Sequence, residues 1–153
     1  MSDLALFFHI LGVLLFVSGV AVAGVAFESA RRRERPAEVS LLLGLSRIGV
    51  ALVAAGSVVI LTFGFWLVGL EDSSLGEGWI SAALGLFIVA LVLGGIAGQT
   101  PKRARLLATK LAEESNPATA ELRALLDDGR SRAANYLSAA IVIAILVLMV
   151  FKP

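Results

Sequence analysis

The chain has 153 residues, of which 58% are hydrophobic and 16% are charged, and its mean hydropathy is +0.91. Soluble domains have about 45–50% apolar and about 25% charged residues, so this composition indicates a membrane protein. The sequence contains no cysteine, which excludes disulfides, thiolate metal sites and thiol catalysis. The net charge of +1 is small, and the positions of the charges along the chain are more informative than their sum.

The first long apolar segment, residues 4–27, decides the fold class. It contains no charged residue, and at a helical rise of about 1.5 Å per residue it would be about 36 Å long, enough to cross the roughly 30 Å hydrocarbon layer of a bilayer. No Lys or Arg precedes it, so we interpret it as a retained span and not as a cleaved secretory signal. Three further spans are predicted at residues 44–70, 79–98 and 133–151. The sequence therefore predicts an all-α membrane protein, a single membrane domain over residues 1–153 that folds as an antiparallel four-transmembrane-helix bundle.

The connection between the third and fourth spans, residues 100–132, is polar and is predicted to be a short helical hairpin. It begins with Thr100-Pro101, which is typical of a helix N-cap followed by a first-turn proline. A second short helix is predicted after Asn116-Pro117. Apolar residues recur in the first half at the spacing of an amphipathic helix, namely Ala104, Leu107, Ala108 and Leu111. We expect this hairpin to lie against the membrane surface.

The basic residues lie on one side of the predicted spans. Of the thirteen Lys and Arg residues, all but Lys152 fall in or beside the first and third connections, whereas the acidic second connection, residues 71–78, has none. Because basic connections stay in the cytoplasm, we predict a multi-pass protein of the bacterial cytoplasmic membrane with loops 1 and 3 cytoplasmic and both termini outside. The basic run RRRER at residues 31–35 is interpreted as a topology determinant, so no nucleic acid is expected as a partner.

Small residues recur at helical spacing on every predicted span. The third span carries the clearest row, Ala90, Gly94 and Gly98. Helices in lipid associate through close backbone approach at such rows. The rows are expected to close the monomer within the lipid bilayer, and a row that stayed free would serve a homodimer or a larger membrane complex.

His9, the only histidine, lies on one helical stripe with Gly12 and Gly19 and should face neighbouring helices. Ionisable residues within membranes are functional candidates, and neutral imidazole is a common haem ligand. Met149 is predicted to lie in the same leaflet, so His9 and Met149 are candidate axial ligands of a haem b. The alternative is a neutral His9 bonded to a backbone carbonyl or a serine, with Met149 as packing.

Two charged residues flank the predicted cytoplasmic boundary of consecutive spans, Glu28 after the first and Arg47 within the second. An ion pair between them would lower the cost of burying either charge; alternatively, Arg47 extends to the headgroups and Glu28 is solvated. No Asp or Glu lies within the apolar body of a span. We therefore predict no catalytic residues and no metal site, and we expect the protein not to be an enzyme.

The order of these features resembles a family of bacterial four-span predicted integral membrane proteins of unknown function, within a superfamily similar to the copper-resistance protein D membrane domain. The resemblance rests on His9-Ile10-Leu11-Gly12-Val13 with Gly19, on Arg47, and on the C-terminal Met149-Val150-Phe151-Lys152-Pro153. A related group, the four-span protoporphyrinogen oxidases of the J type, is similar in having a first-span histidine that binds haem. The resemblance implies that His9 is the matching position here.

Three hypotheses about function follow. The first is an integral membrane protein without a catalytic site that acts as an accessory, assembly or interaction component of the cytoplasmic membrane. The second is a haem-binding redox protein that uses His9 as an axial ligand. The third is a small dimeric transporter, which the glycine rows favour.

Overall fold

The computed structural model of the chain describes residues 1–70 and 77–151. Those residues form helices and short connections, without strands. The helices are α1 (Ser2–Arg31), α2 (Pro36–Leu70), α3 (Gly78–Ala97), α4 (Gln99–Glu113), α5 (Ala120–Leu126) and α6 (Gly129–Phe151). Four of the long helical stretches are apolar enough to cross a membrane. The predictions of an all-α protein and of four long apolar helices that could span a membrane are confirmed. Most of the predicted acidic turn and the final two residues lie outside the described residues.

Helix α2 is much longer than a bilayer requires. Its 35 residues correspond to about 52 Å, against roughly 30 Å of hydrocarbon. It begins at Pro36, where a proline is well suited because the first helical position needs no N–H donor. The charge-free part starts only after Arg47, so about 18 Å of the helix projects beyond the apolar layer.

Helices α3 and α4 are almost one helix. Gly98, the residue between them, keeps a right-handed helical conformation with φ −71° and ψ −14°, and its N–H donates to the Gly94 carbonyl. The predicted helix start, with Thr100 as N-cap, is therefore wrong by two residues, because the N-cap of α4 is Gly98 and the chain never leaves the helical region there. The Thr100 hydroxyl donates to Asp128 Oδ2 at 3.3 Å, on the connection before α6.

Helices α1 and α2 form a close antiparallel pair. A Cβ atom added to Gly49 would lie 2.7 Å from the Gly19 carbonyl oxygen and 2.7 Å from the Ala23 backbone nitrogen. A Cβ atom added to Gly56 would lie 2.6 Å from the backbone nitrogen of Phe16. Only glycine permits backbones to approach this closely, so these residues determine the spacing of the two helices.

Helices α3 and α6 form a second antiparallel pair, held by two buried serines. Ser138 donates to the Ala90 carbonyl at 3.2 Å, and Ser131 donates to the Ala97 carbonyl at 2.9 Å. The two pairs touch within the apolar layer, where the rings of Phe16 and Phe87 lie 5.4 Å apart. The bundle therefore consists of two tight helix pairs rather than four equivalent neighbours.

The projecting helix ends build a small polar unit, which we call the basic cap: residues 27–47 with α4 and α5. Its buried core is formed by Phe27, Ala30, Val39, Leu43, Ala104, Ala108, Leu111, Leu122 and Leu126. Across it the hydroxyls of Ser40 and Thr109 are hydrogen-bonded at 2.7 Å. The predicted hairpin is present, and its predicted apolar stripe is buried against α1 and α2 instead of resting on the membrane surface.

Candidate functional site

His9 lies on α1 and faces α2. Its Nδ1 is 3.1 Å from the carbonyl oxygen of Ile60, and a carbonyl oxygen can only accept, so Nδ1 carries the proton and Nε2 keeps its lone pair. A Cβ atom added to Gly64 would lie 3.2 Å from the ring, which shows that the imidazole packs directly on the α2 backbone. Next to it, the rings of Phe8 and Phe63 stack at 4.8 Å. The backbone-carbonyl partner considered from the sequence is the one that the structure shows.

Met149 lies on α6, in the other helix pair, and is partly exposed. Gly24 of α1 lies opposite Asn135 of α6, because a Cβ atom added to Gly24 would lie 3.7 Å from the side-chain amide nitrogen of Asn135. This contact defines the register between the two helices. Extending this antiparallel register places Met149 level with Ile10, one residue from His9. The two candidate haem ligands therefore share a depth, while the ring of His9 is turned toward α2 and Met149 belongs to the pair formed with α3.

Glu28 and Arg47 do not form the ion pair considered from the sequence. Glu28 Oε2 is 2.8 Å from Arg31 Nη1, and Glu28 Oε1 is 3.8 Å from Arg32. Arg47 is exposed, and among the described residues no ion pair joins it to Glu28 or to another carboxylate. The structure thus gives Glu28 partners on its own helix and leaves Arg47 free to extend to the headgroups.

Arg31 connects the end of α1 to α5, a role that the sequence did not reveal. Its guanidinium binds Glu28 on α1 and, at 3.0 Å, Asp127 at the end of α5. Its carbonyl oxygen accepts a 3.3 Å hydrogen bond from Arg123 on α5. The Arg31 side chain is only 15% exposed, so these interactions are partly shielded from water. The available signal was the adjacent acidic pair Asp127-Asp128 in the third connection.

The remaining basic residues of the cap divide into two groups. Arg33 and Arg35 lie 3.8 Å and 3.9 Å from the carboxylate of Glu38. By contrast, Lys102 and Arg103 on α4 are exposed and, within residues 1–70 and 77–151, form no ion pair with a carboxylate. One end of the molecule thus holds both neutralised arginines and free cations.

The chemistry available to the described residues is limited. Within residues 1–70 and 77–151 there is no group of three or more His, Cys, Asp or Glu side chains that would hold a metal ion. His9 is the only histidine in the sequence, and its Nε2 offers a metal-binding lone pair inside the apolar layer. What the structure otherwise provides is a packed polar unit on a membrane anchor.

Comparison with known proteins agrees with this architecture. A family model described as "Predicted integral membrane protein (DUF2269)" matches residues 3–153. Neither a curated protein nor a solved structure matches the chain. The family description names no activity, so it places the chain in a membrane without assigning a reaction to it.

Proposed function

The chain belongs to this family of predicted integral membrane proteins, and we propose that it serves as a non-enzymatic accessory, assembly or interaction component of the bacterial cytoplasmic membrane. The observation that supports the proposal is the basic cap. Its core contains Leu122 and Leu126 at 0% and 1% exposure, and Arg31 ties it to the end of α1. A packed cap on short connections presents one fixed polar surface, which suits a protein that positions other proteins at a membrane.

The proposed orientation places the basic cap in the cytoplasm and both termini outside. It is supported by charge: every Lys and Arg residue except Lys152 lies at the cap end of the helices or just beside it. Basic connections resist translocation, because the asymmetry of Lys and Arg determines which side they stay on. Alkaline phosphatase fused after Pro153 is expected to be active, and an active cytoplasmic reporter at the same position would overturn the orientation.

Site-specific photocrosslinking in the native host tests the accessory role. A photoreactive residue at the exposed cap positions Glu113 or Ala124 is expected to yield a discrete adduct with a second protein. The matched control positions are Ile88 and Val147, which are exposed at 54% and 49% within the apolar layer. Adducts from the cap positions that consist only of lipid or of the chain itself would refute the role, because a positioning component must touch its partner through the cap.

A haem-binding redox protein is the second candidate, and one observation favours it. Histidines that bind metals usually donate their other ring N–H to a carbonyl or carboxylate, which fixes the tautomer and the ring orientation. His9 has this arrangement with Ile60, so Nε2 is the nitrogen that would bind iron. Met149, or a residue of a second copy, would be the other axial ligand of a haem b.

A visible spectrum tests the second candidate. Protein purified in detergent and incubated with haem should show a stoichiometric Soret band that is absent in His9→Ala, while Met149→Leu should shift the spectrum if Met149 is the second ligand. Circular dichroism of both variants confirms that the helices are intact. A preparation that stays colourless after haem loading would exclude haem binding by His9.

The other sequence-based hypotheses gain no specific support from the described residues. The small-residue rows of α1 and α2 face each other, and Ala90 of α3 accepts a hydrogen bond from α6. These small-residue rows make contacts within the chain and do not point to a second copy. The dimeric transporter and the homodimer therefore stay predictions from the sequence. The wider similarity to the copper-resistance protein D membrane domain also remains a prediction.

A further inference from the structure

One face of α4 carries free positive charge beside a shallow groove. Gln99, Lys102, Arg103 and Leu106 line this groove, which has a volume of about 280 Å³. Lys102, Arg103 and Gln99 are exposed, and Leu106 is 55% exposed. The opposite face of the helix, with Ala104 and Ala108, is buried in the core of the basic cap. We call the four groove residues the α4 basic face.

Two independent measures place the α4 basic face at the level of the lipid headgroups. Helix α3 has 20 residues, or about 30 Å, so its end at Ala97 coincides with the edge of the hydrocarbon. Lys102 and Arg103 follow by about 7–9 Å, and the headgroup region extends about 5–8 Å beyond the hydrocarbon on each side.

The register of α2 against α4 gives the same level. The two helices run antiparallel, and the hydroxyls of Ser40 and Thr109 meet at 2.7 Å. Seven residues further along α2 is Arg47, and seven residues back along α4 is Lys102, so these two cations lie at one depth. Arg47 directly precedes the charge-free part of α2, which is where the apolar layer begins.

The direction of the side chains also favours contact with lipid. In a helix the Cα–Cβ bonds tilt toward the N-terminus, and the N-terminus of α4 is its membrane end. The side chains of Lys102 and Arg103 therefore lean back toward the bilayer. Among the described residues neither has a carboxylate partner, in contrast to Arg33 and Arg35 beside Glu38.

We propose that the α4 basic face binds the phosphate of an anionic phospholipid in the leaflet next to the basic cap. Lys102 and Arg103 bind the phosphate oxygens, Gln99 donates a hydrogen bond, and Leu106 contacts the apolar part of the same lipid. Charge complementarity selects an anionic lipid over a zwitterionic one, because its phosphate binds the two cations without bringing the positive group of a zwitterionic headgroup beside them. This role is separate from any protein partner of the cap.

Native mass spectrometry of the full chain in detergent tests the proposal, with phosphatidylglycerol and phosphatidylcholine as the two probes. Wild type should retain one phosphatidylglycerol more tightly than phosphatidylcholine. Lys102→Gln should weaken phosphatidylglycerol binding about fivefold, because each Lys or Arg near an anionic surface contributes about fivefold in affinity. Combining it with Arg103→Gln should weaken binding about twentyfold or more.

Lys110 provides the matched control, because it is an exposed lysine on the same helix about 12 Å further from the membrane. Lys110→Gln should bind phosphatidylglycerol as wild type does. Lys102→Arg keeps the positive charge and should also bind as wild type does, which controls for a general folding defect caused by replacing Lys102. Equal losses in Lys102→Gln and Lys110→Gln would show diffuse charge attraction and overturn the proposal. Equal binding of phosphatidylglycerol and phosphatidylcholine by wild type would also overturn it.

Discussion

Replacing Gly49 with alanine tests the close crossing of α1 and α2. The added Cβ atom would lie 2.7 Å from the Gly19 carbonyl oxygen, 2.7 Å from the Ala23 backbone nitrogen and 2.9 Å from the Ala23 Cβ. Ordinary contact begins at 3.4 Å, so the two backbones must separate by about 0.7 Å. Two of the three obstructing atoms are backbone atoms, which cannot move away as a flexible side chain can.

The expected loss of stability follows from two opposing effects. Forcing an extra methyl group into a tightly packed contact costs about 1–3 kcal/mol. Alanine is a better helix former than glycine by up to about 1 kcal/mol, which offsets part of that cost. The net destabilisation of Gly49→Ala relative to wild type is therefore about 0–2 kcal/mol, expressed as weaker association of α1 with α2.

Gly44→Ala is the matched control on the same helix. A Cβ atom there meets nothing within 4 Å, so only the gain in helix propensity remains and stability should be unchanged or slightly higher. Unfolding in detergent by titration with sodium dodecyl sulfate, followed by the fluorescence of Trp66 and Trp79, compares the two variants. If Gly49→Ala is as stable as Gly44→Ala, the close crossing of α1 and α2 is incorrect.

Two further substitutions examine the other contacts that hold the fold. Leu122→Ala removes a side chain with 0% exposure from the core of the basic cap and should lower the free energy of unfolding by about 2–5 kcal/mol. The control Leu106→Ala, at a position with 55% exposure, should change the free energy of unfolding by at most about 0.5 kcal/mol. Thermal unfolding followed by circular dichroism compares the two variants, and equal effects would contradict the buried core. Ser138→Ala removes the hydrogen bond to the Ala90 carbonyl and should cost about 0.6 kcal/mol in the same detergent unfolding assay, so a stability equal to wild type would show that this bond does not hold α6 on α3.

The four spans were predictable because their signal is local. Hydropathy over about 20 residues and the length of the bilayer are sufficient to recognise a membrane helix, and residues 79–98 match α3 within one residue at each end. The outer bounds of α1 and α2 were less predictable. The second span was predicted to begin at residue 44, whereas α2 begins at Pro36 and its residues Val39 and Leu43 belong to the core of the cap.

The pairing of the helices was not predictable from one sequence. Every span carries small residues at helical spacing, and such rows identify a close contact without identifying the partner. Gly19 meets Gly49 and Gly12 meets the backbone of Ile60, which follows from the short connection between α1 and α2. The choice of α6 as the partner of α3 depends on where Ser131 and Ser138 find carbonyl acceptors, and that is a three-dimensional property.

The candidate site was predictable in part. His9 was expected to face neighbouring helices, and its carbonyl partner was one of two alternatives that its chemistry allowed. The ion-pair partner of Glu28 was harder to predict, because the sequence places both Arg31 and Arg47 near the same membrane boundary. Arg31 binds it through the i, i+3 spacing of α1, since a partner on the same helix needs no tertiary contact to be brought close.

Different forces hold α1 against α2 inside the apolar layer and in the basic cap. Lipid chains are as apolar as leucine, so burial of leucine does not drive association inside the bilayer, and the contact there depends on the backbone approach at Gly19 and Gly49. Water surrounds the basic cap, where burying Phe27 and Leu43 with residues of α4 and α5 does supply a hydrophobic driving force. Because α4 continues α3, this core also attaches the α3–α6 pair to the α1–α2 pair. The cap therefore serves as the joint between two membrane pairs that touch only sparingly within the apolar layer.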